Sequence, residues 1–169
     1  VTEFRRVLFR SGIAVNVPEW DKDNCIQCNQ CAFVCPHACI RPFLLDEKEL
    51  AGFPGKDNTL KAIPKTFTGL QFKIQVSPLD CTGCGNCADV CPAKIKALVM
   101  QPLESQMKET ENWDYVVANV TYKDMIAPKE QNVKNSQFAQ PLFEFSGACS
   151  GCGETPYVKL VTQLFGDHM

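Results

Sequence analysis

Two cysteine runs constrain this chain more than any other feature. The first is Cys25, Cys28, Cys31 and Cys35, followed by Pro36; the second is Cys81, Cys84, Cys87 and Cys91, followed by Pro92. Both read C-x-x-C-x-x-C-x-x-x-C-P, so eight cysteines and two prolines fall in the same register twice. Three thiolates two residues apart wrap one face of a metal cluster from a single loop. The fourth ligand must then approach from elsewhere. This is the spacing used by paired 4Fe–4S clusters, in which the fourth cysteine of each run serves the other cluster. The predicted assignment is therefore crossed. One cluster takes Cys25, Cys28, Cys31 and Cys91; the other takes Cys81, Cys84, Cys87 and Cys35. Crossing places both clusters in one small core, close enough for electrons to tunnel between them. Zinc sites also use C-x-x-C pairs, but as two pairs or with histidines in a tetrahedron. The repeated triple run with a distant Cys-Pro favours iron–sulfur.

Composition agrees with that chemistry. Of eleven cysteines, ten lie in three tight groups. A disulfide scaffold needs cysteines spread over the fold, so the pattern points to metal thiolates in a reducing compartment and a cytoplasmic protein. The formal charge of −2 comes without a basic patch that would suit nucleic acid. No run approaches the roughly 20 apolar residues of a membrane span, and none has the order of a signal peptide.

Residues 1–12 have no clear link to the rest of the chain and are read as a non-native tail, excluded from fold reasoning. Ile13 to Val17 is β-branched and predicts a strand ended by Pro18. After the first cysteine loop come a short helix over Asn29 to Val34 and a strand over Cys39 to Leu45, the latter weakened by Pro42. Leu70 to Val76 alternates as a strand. The second loop is followed by a helix over Asn86 to Val90 and a strand over Ala97 to Gln101. Strand, loop, helix and strand thus occur twice. The expected fold is α+β: a pseudo-twofold ferredoxin-like domain over residues 13–103. Asp46 to Gly69 is an insert between the halves, expected to pack against something else. Residues 104–140 form a connecting arm, with a helix over Glu104 to Asn119. From residue 141 the chain turns apolar. It then reaches Cys149-Ser150-Gly151-Cys152 and a helix capped by Thr155, with Pro156 first inside it. Tyr157, Leu160, Val161 and Leu164 recur along that helix at helical spacing.

Gly83 and Gly85 permit positive φ, which lets backbone amides point at sulfur. Ile26, Phe33, Val34 and Val90 are candidates to keep water from the clusters. Cys39 reads as a small buried hydrophobe, and His37 as a loop-surface residue. Cys149 and Cys152 alone are a weak signal: a redox pair or half of a metal site.

The stretches Cys35-Pro36-His37-Ala38, Gly52-Phe53, Asp80 to Pro92 and, above all, Phe138 to Met169 resemble the pyruvate:ferredoxin (flavodoxin) oxidoreductase family. The resemblance runs from Val17 to Met169 and departs at Cys39, where the family more often has alanine. It implies that residues 141–169 open an α/β thiamine-diphosphate domain, present here only as its truncated start. It also implies that Cys149 and Cys152 are two ligands of a third 4Fe–4S cluster, whose other two ligands would lie beyond Met169. Glu154 would contact thiamine diphosphate, held with magnesium, although an acid in the first turn of a helix is also favourable for the helix dipole. The family's reaction takes pyruvate and coenzyme A to acetyl-CoA, carbon dioxide and two electrons. The electrons leave through the clusters to ferredoxin or flavodoxin, and the full-length enzyme is expected to be a homodimer. This chain would supply the electron-transfer portion, without the substrate pocket. The competing reading is a free two-cluster ferredoxin with a C-terminal extension.

Overall fold

The computed structural model describes residues 10–166. It is an α+β arrangement of two antiparallel sheets with short helices around them. Strands β1 (Asn16–Trp20), β2 (Ile40–Leu45), β3 (Leu60–Lys61), β4 (Gln71–Val76) and β5 (Leu98–Pro102) alternate with helices α1 (Gln30–Val34), α2 (Glu47–Ala51), α3 (Asn86–Asp89), α4 (Glu109–Asn119), α5 (Val133–Ser136) and α6 (Thr155–Phe165). β1 pairs with β5, and the second sheet runs β2-β4-β3. Each cysteine run leaves a strand, closes in a short helix and returns to a strand: β1, α1, β2, then β4, α3, β5.

The first strand is displaced from its expected position. Ile13 and Val15 are 74% and 80% exposed, while β1 runs through Pro18 to Trp20. The register explains why proline is accepted. Pro18 lies opposite Met100, and the ladder is bonded at the alternate positions, with Leu103 N–H donating to Val15 O (3.0 Å) and Asp21 N–H to Ala97 O (2.8 Å). Pro18 therefore sits where no donor to β5 is needed. Pro42 does the same in β2. It faces Ile74 at a non-bonded position, out of phase with the Ser77 N–H bond to Cys39 O (2.8 Å).

β2 and β4 bury both faces, as period-two alternation allows. Ile40, Leu44, Phe72, Ile74 and Val76 join the core that contains Cys31, Cys35 and Cys87. Phe43 and Leu45 join a second layer with Phe53, Val116 and Val120. That second layer is where the insert packs. Asp46 caps α2 in a capping box with Glu49. Phe53 then lies 5.6 Å from Tyr115 of α4, whose hydroxyl donates to Glu49 O (2.8 Å). The residues after α4 are anchored too. Phe138 meets Phe67 and Phe72 edge-on, with centroids 5.7 and 6.1 Å apart. Burying each such ring is worth about 1.5–3 kcal/mol.

Arg10 pairs with Asp114, and Gly12 N–H donates to Leu79 O (3.0 Å), so the end of the segment read as a non-native tail touches the body. Its residues 1–9 lie outside the described residues. His37 is not at the surface: it is 5% exposed, with Nδ1 3.2 Å from Ser146 O. The chain around Phe145 folds over it and buries it. Helix α6 also differs from expectation. Its cap is Glu154, without a side-chain bond, and Thr155 is already inside the helix. Its buried residues are Thr155, Pro156, Lys159 and Gln163, whereas Tyr157 and Val161 are 67% and 46% exposed. The helix turns polar groups inward because it docks on backbone carbonyls: Lys159 on Ala32 and Cys35, and Gln163 on Ser136 and Ala139.

Candidate functional site

The eight run cysteines line two cavities. One is walled by Cys25, Cys28, Cys31 and Cys91, with Trp20, Asn29, Ile74 and Leu98 among the other lining residues. The second is walled by Cys35, Cys81, Cys84 and Cys87, with Pro18, Pro36, His37, Cys39, Ile40 and Met100. Each cavity thus takes three cysteines from one loop and the fourth from the other. Among the described residues, the sulfurs stand around open space and do not converge on the position of a single ion. Four thiols spaced around a cavity are the donor set and shape a multi-iron cube needs.

Both loops reach this shape through left-handed backbone. Gln27 and Asn29 in the first have φ 56° and 62°; Gly83 and Gly85 in the second have φ 69° and 81°. The turn aims one amide of each loop at a sulfur: Gln27 N–H at Cys25 Sγ (3.4 Å) and Gly83 N–H at Cys81 Sγ (3.3 Å). Such amide bonds favour the charged thiolate. Glycine needs no support in this conformation, but Gln27 and Asn29 do. Gln27 Nε2 donates to Lys61 O (2.8 Å), and its Oε1 accepts from Ile63 N–H (3.0 Å). Asn29 Nδ2 donates to Lys134 O (3.0 Å).

The water barrier comes chiefly from the strands. Ile26 is 53% exposed, and Phe33, Val34 and Val90 are half-buried. The buried seals are Trp20, Ile74, Ala97 and Leu98 at the first cavity and Ile40 and Pro36 at the second. Three polar atoms at these walls are buried without a conventional partner: Trp20 Nε1, Asn29 Oδ1 and His37 Nε2. Trp20 lies beside Cys25, where its N–H favours the thiolate.

Burial sets the thiol acidities. It raises Cys25 and Cys31, pushes Cys81 up to about 12, and raises Cys87. Cys35 goes the other way: the neighbouring Cys39 thiol and then the Lys159 cation hold it well below the usual thiol range, against burial. Cys39 is 1% exposed, as expected of a small buried residue, and its single S–H is shared between Cys35 and Asp80 O, 3.0 Å from Sγ. Metal uptake needs thiolates, so filling either site must release protons.

The structure does not bring Cys149 and Cys152 into either cavity. Their loop docks on the second cysteine loop. Ser150 Oγ donates to Thr82 O (3.3 Å), and Asn86 Nδ2 donates to Gly151 O (3.4 Å). Cys149 is exposed and Cys152 partly so. The Thr155 hydroxyl, then the Thr155 and Glu154 amides, lower the Cys152 thiol. Glu154 is exposed at the start of α6. An open hollow beside this loop is lined by Phe33, Val90, Cys152, Pro156 and Tyr157.

Sequence reasoning missed Trp20, Gln27, Asn29 and Lys159. For Gln27 and Asn29 a signal existed: they occupy the loop positions that Gly83 and Gly85 hold in the second run. Nothing local marked Lys159 as buried.

The 4Fe-4S dicluster domain family matches residues 24–95. The chain is 61% identical over 160 residues to the pyruvate:ferredoxin oxidoreductase of Moorella thermoacetica, covering 95% of this chain and 14% of that protein. It is 56% identical to the pyruvate-flavodoxin oxidoreductase of Enterobacter agglomerans and 50% identical to that of Klebsiella pneumoniae, each match covering 95% of this chain and 13% of the relative. The chain therefore spans about a seventh of the length of these relatives. The resemblance read from its motifs holds along nearly all of it, and residues 24–95 are similar to a 4Fe-4S dicluster domain. No helix of the described residues is long and apolar enough to cross a membrane.

Proposed function

We propose that this chain is the electron-transfer portion of a pyruvate:ferredoxin (flavodoxin) oxidoreductase. In this reading Cys25, Cys28, Cys31 and Cys91 hold one 4Fe–4S cluster, and Cys81, Cys84, Cys87 and Cys35 the other. The two halves then form a pseudo-twofold domain over residues 13–103, joined by the arm at 104–140. Clusters of this kind, when bound, supply one-electron uptake and release. The chain's own residues hold them, point amides at their ligands and keep water away.

One observation carries the reading: a row of three cysteine groups. The Cys149–Cys152 loop is bonded to the second loop through Thr82 and Asn86, and the second loop shares its cysteines with the first. This order suits a relay that begins at the tail and ends at the half-exposed Cys25 and Cys28. Cys149 and Cys152 would then be half the ligands of a third cluster. Residues 141–169 would open the thiamine-diphosphate domain, with Glu154 facing thiamine diphosphate and its magnesium. Pyruvate and coenzyme A would be handled by the longer protein, a cytoplasmic homodimer, with ferredoxin or flavodoxin as acceptor. The apolar face of α6, open in this chain, suits a helix that more protein covers. It also favours the enzyme over a free carrier.

Anaerobic reconstitution of the chain tests the paired sites. About eight irons per chain are expected, and a value near four contradicts the pairing. Cys35→Ala should disturb the cluster held by Cys81, Cys84 and Cys87; loss of the other cluster alone overturns the crossed assignment. In the full-length protein, Cys35→Ala should abolish ferredoxin reduction yet leave pyruvate-dependent carbon dioxide exchange. Unchanged ferredoxin reduction would contradict the relay.

A further inference from the structure

Lys159 is the least expected group in the molecule. It belongs to α6 of the tail, yet it is 2% exposed and reaches into the cysteine core. Its Nζ donates to Ala32 O (2.6 Å) and Cys35 O (2.9 Å), at the C-terminal end of α1. Both carbonyls already accept long turn bonds, from Cys35 N–H (3.3 Å) and Ala38 N–H (3.4 Å), and the ammonium adds a shorter one to each. A buried ammonium is costly unless hydrogen-bonded and balanced by charge. Two carbonyls give hydrogen bonds but no net charge. Among the described residues, no carboxylate lies within ion-pair distance of Lys159. The sulfurs it faces are Cys35 first, then Cys39 and Cys31. The neighbouring cation, Arg41, is occupied otherwise: it donates to Ala38 O (2.8 Å), pairs with Glu144 and lies over Trp113 (4.9 Å).

We infer that Lys159 is a positioning residue for the relay, fixing an uncompensated positive charge beside the second cluster that raises that cluster's reduction potential. The inference rests on the two-cluster reading. Each reduction adds one negative charge to a thiolate-ligated cluster. A cation held in a dry core at fixed distance stabilises the reduced form more than the oxidised one. Because the cation arrives on α6, docking of the tail and the potential of the cluster it docks against are set by the same side chain.

The test is an EPR-monitored redox titration of the reconstituted chain, with iron counted in every variant. Lys159→Met and Lys159→Gln remove the charge, the second keeping an amide donor; Lys159→Arg keeps the charge. The expected result is full iron content in all variants, with a lower potential for the Cys35-ligated cluster in the two neutral ones. Arg should restore it, and the other cluster should shift less. Full iron with unchanged potentials overturns the inference and leaves the two-cluster reading intact. Iron near four in the unmutated chain instead overturns both. Loss of iron in the neutral variants but not in Lys159→Arg supports a requirement for charge. Loss in all three overturns it in favour of packing alone.

Discussion

The third and fifth residues of the first cysteine loop are Gln27 and Asn29; those of the second are Gly83 and Gly85. All four are left-handed, so two chemistries reach one backbone shape. The second loop uses residues for which the conformation costs nothing. The first uses residues that resist it by about 1 kcal/mol each and offsets that by bonding both side chains to later segments. Gln27 grips β3 and its continuation, and Asn29 grips α5. The first loop is therefore tied to the insert and the arm. The second has no such tie, but is bonded by the tail. The lesson is that the same metal-binding motif is held by different parts of the chain in each half.

The comparison is broken most directly at Gly83. A Cβ there would stand 2.9 Å from Asn16 O, a backbone atom of β1, and φ is +69°. Strain and crowding together should make Gly83→Ala cost about 4 kcal/mol, with the second cluster lost first in urea unfolding. A cost below about 0.5 kcal/mol would show that the loop has room to move.

Behind the first loop alone lies a second buried amine. Lys73 is 1% exposed, 4.8 Å from the Trp20 ring and 3.9 Å from Glu109. Burial holds its pKa at about 8, below the ordinary 10.5. Between those values Lys73 binds more protons in the unfolded chain than in the folded one, so its contribution to stability rises with pH across the window. Below about pH 8 both states are charged and the full cost, about 3 kcal/mol, applies. Lys73→Met should make stability rise less, or fall more, between pH 8 and 10 than in the unmutated chain in chemical unfolding. An unchanged slope would show that Lys73 does not titrate there.

Gln27→Ala keeps the left-handed residue but removes its two ties, and should cost about 2 kcal/mol, measured the same way. If it costs nothing, the first loop is not held by the insert. Gly85 is the mildest case. A Cβ there meets nothing within 4 Å, and asparagine tolerates positive φ. Gly85→Asn, the residue found at the matching place in the first loop, should cost less than about 1 kcal/mol. A larger loss would mean the two loops are not equivalent.

How the cysteines group was legible in the sequence, because a loop of fixed spacing can present only three sulfurs to one side. The helices that close the cysteine loops, α1 and α3, were legible to within a residue for the same local reason, whereas α5 lies in a stretch read as a connecting arm. What was not legible depended on distant partners. The β-branched run Ile13 to Val17 looked like the first strand, but pairing with β5 placed it three residues later. Tyr157 and Val161 marked α6 as amphipathic without saying which side would be covered. Lys159 and Gln163 face inward because carbonyls of residues 32, 35, 136 and 139 await them, and no local pattern reports that. His37 was hidden in the same way by Phe145 and Ser146.

The prolines of β1 and β2 matter beyond the ladders they tolerate. Pro18 and Pro42 sit at positions whose backbone nitrogen points away from the paired strand, each in the middle of its strand. Both prolines are buried, Pro18 in the wall of the second cavity. Any other residue at either place would bury an N–H that the ladder does not use, at a cost of about 1–3 kcal/mol. The missing donor is what lets each strand run through the interior without an orphaned amide.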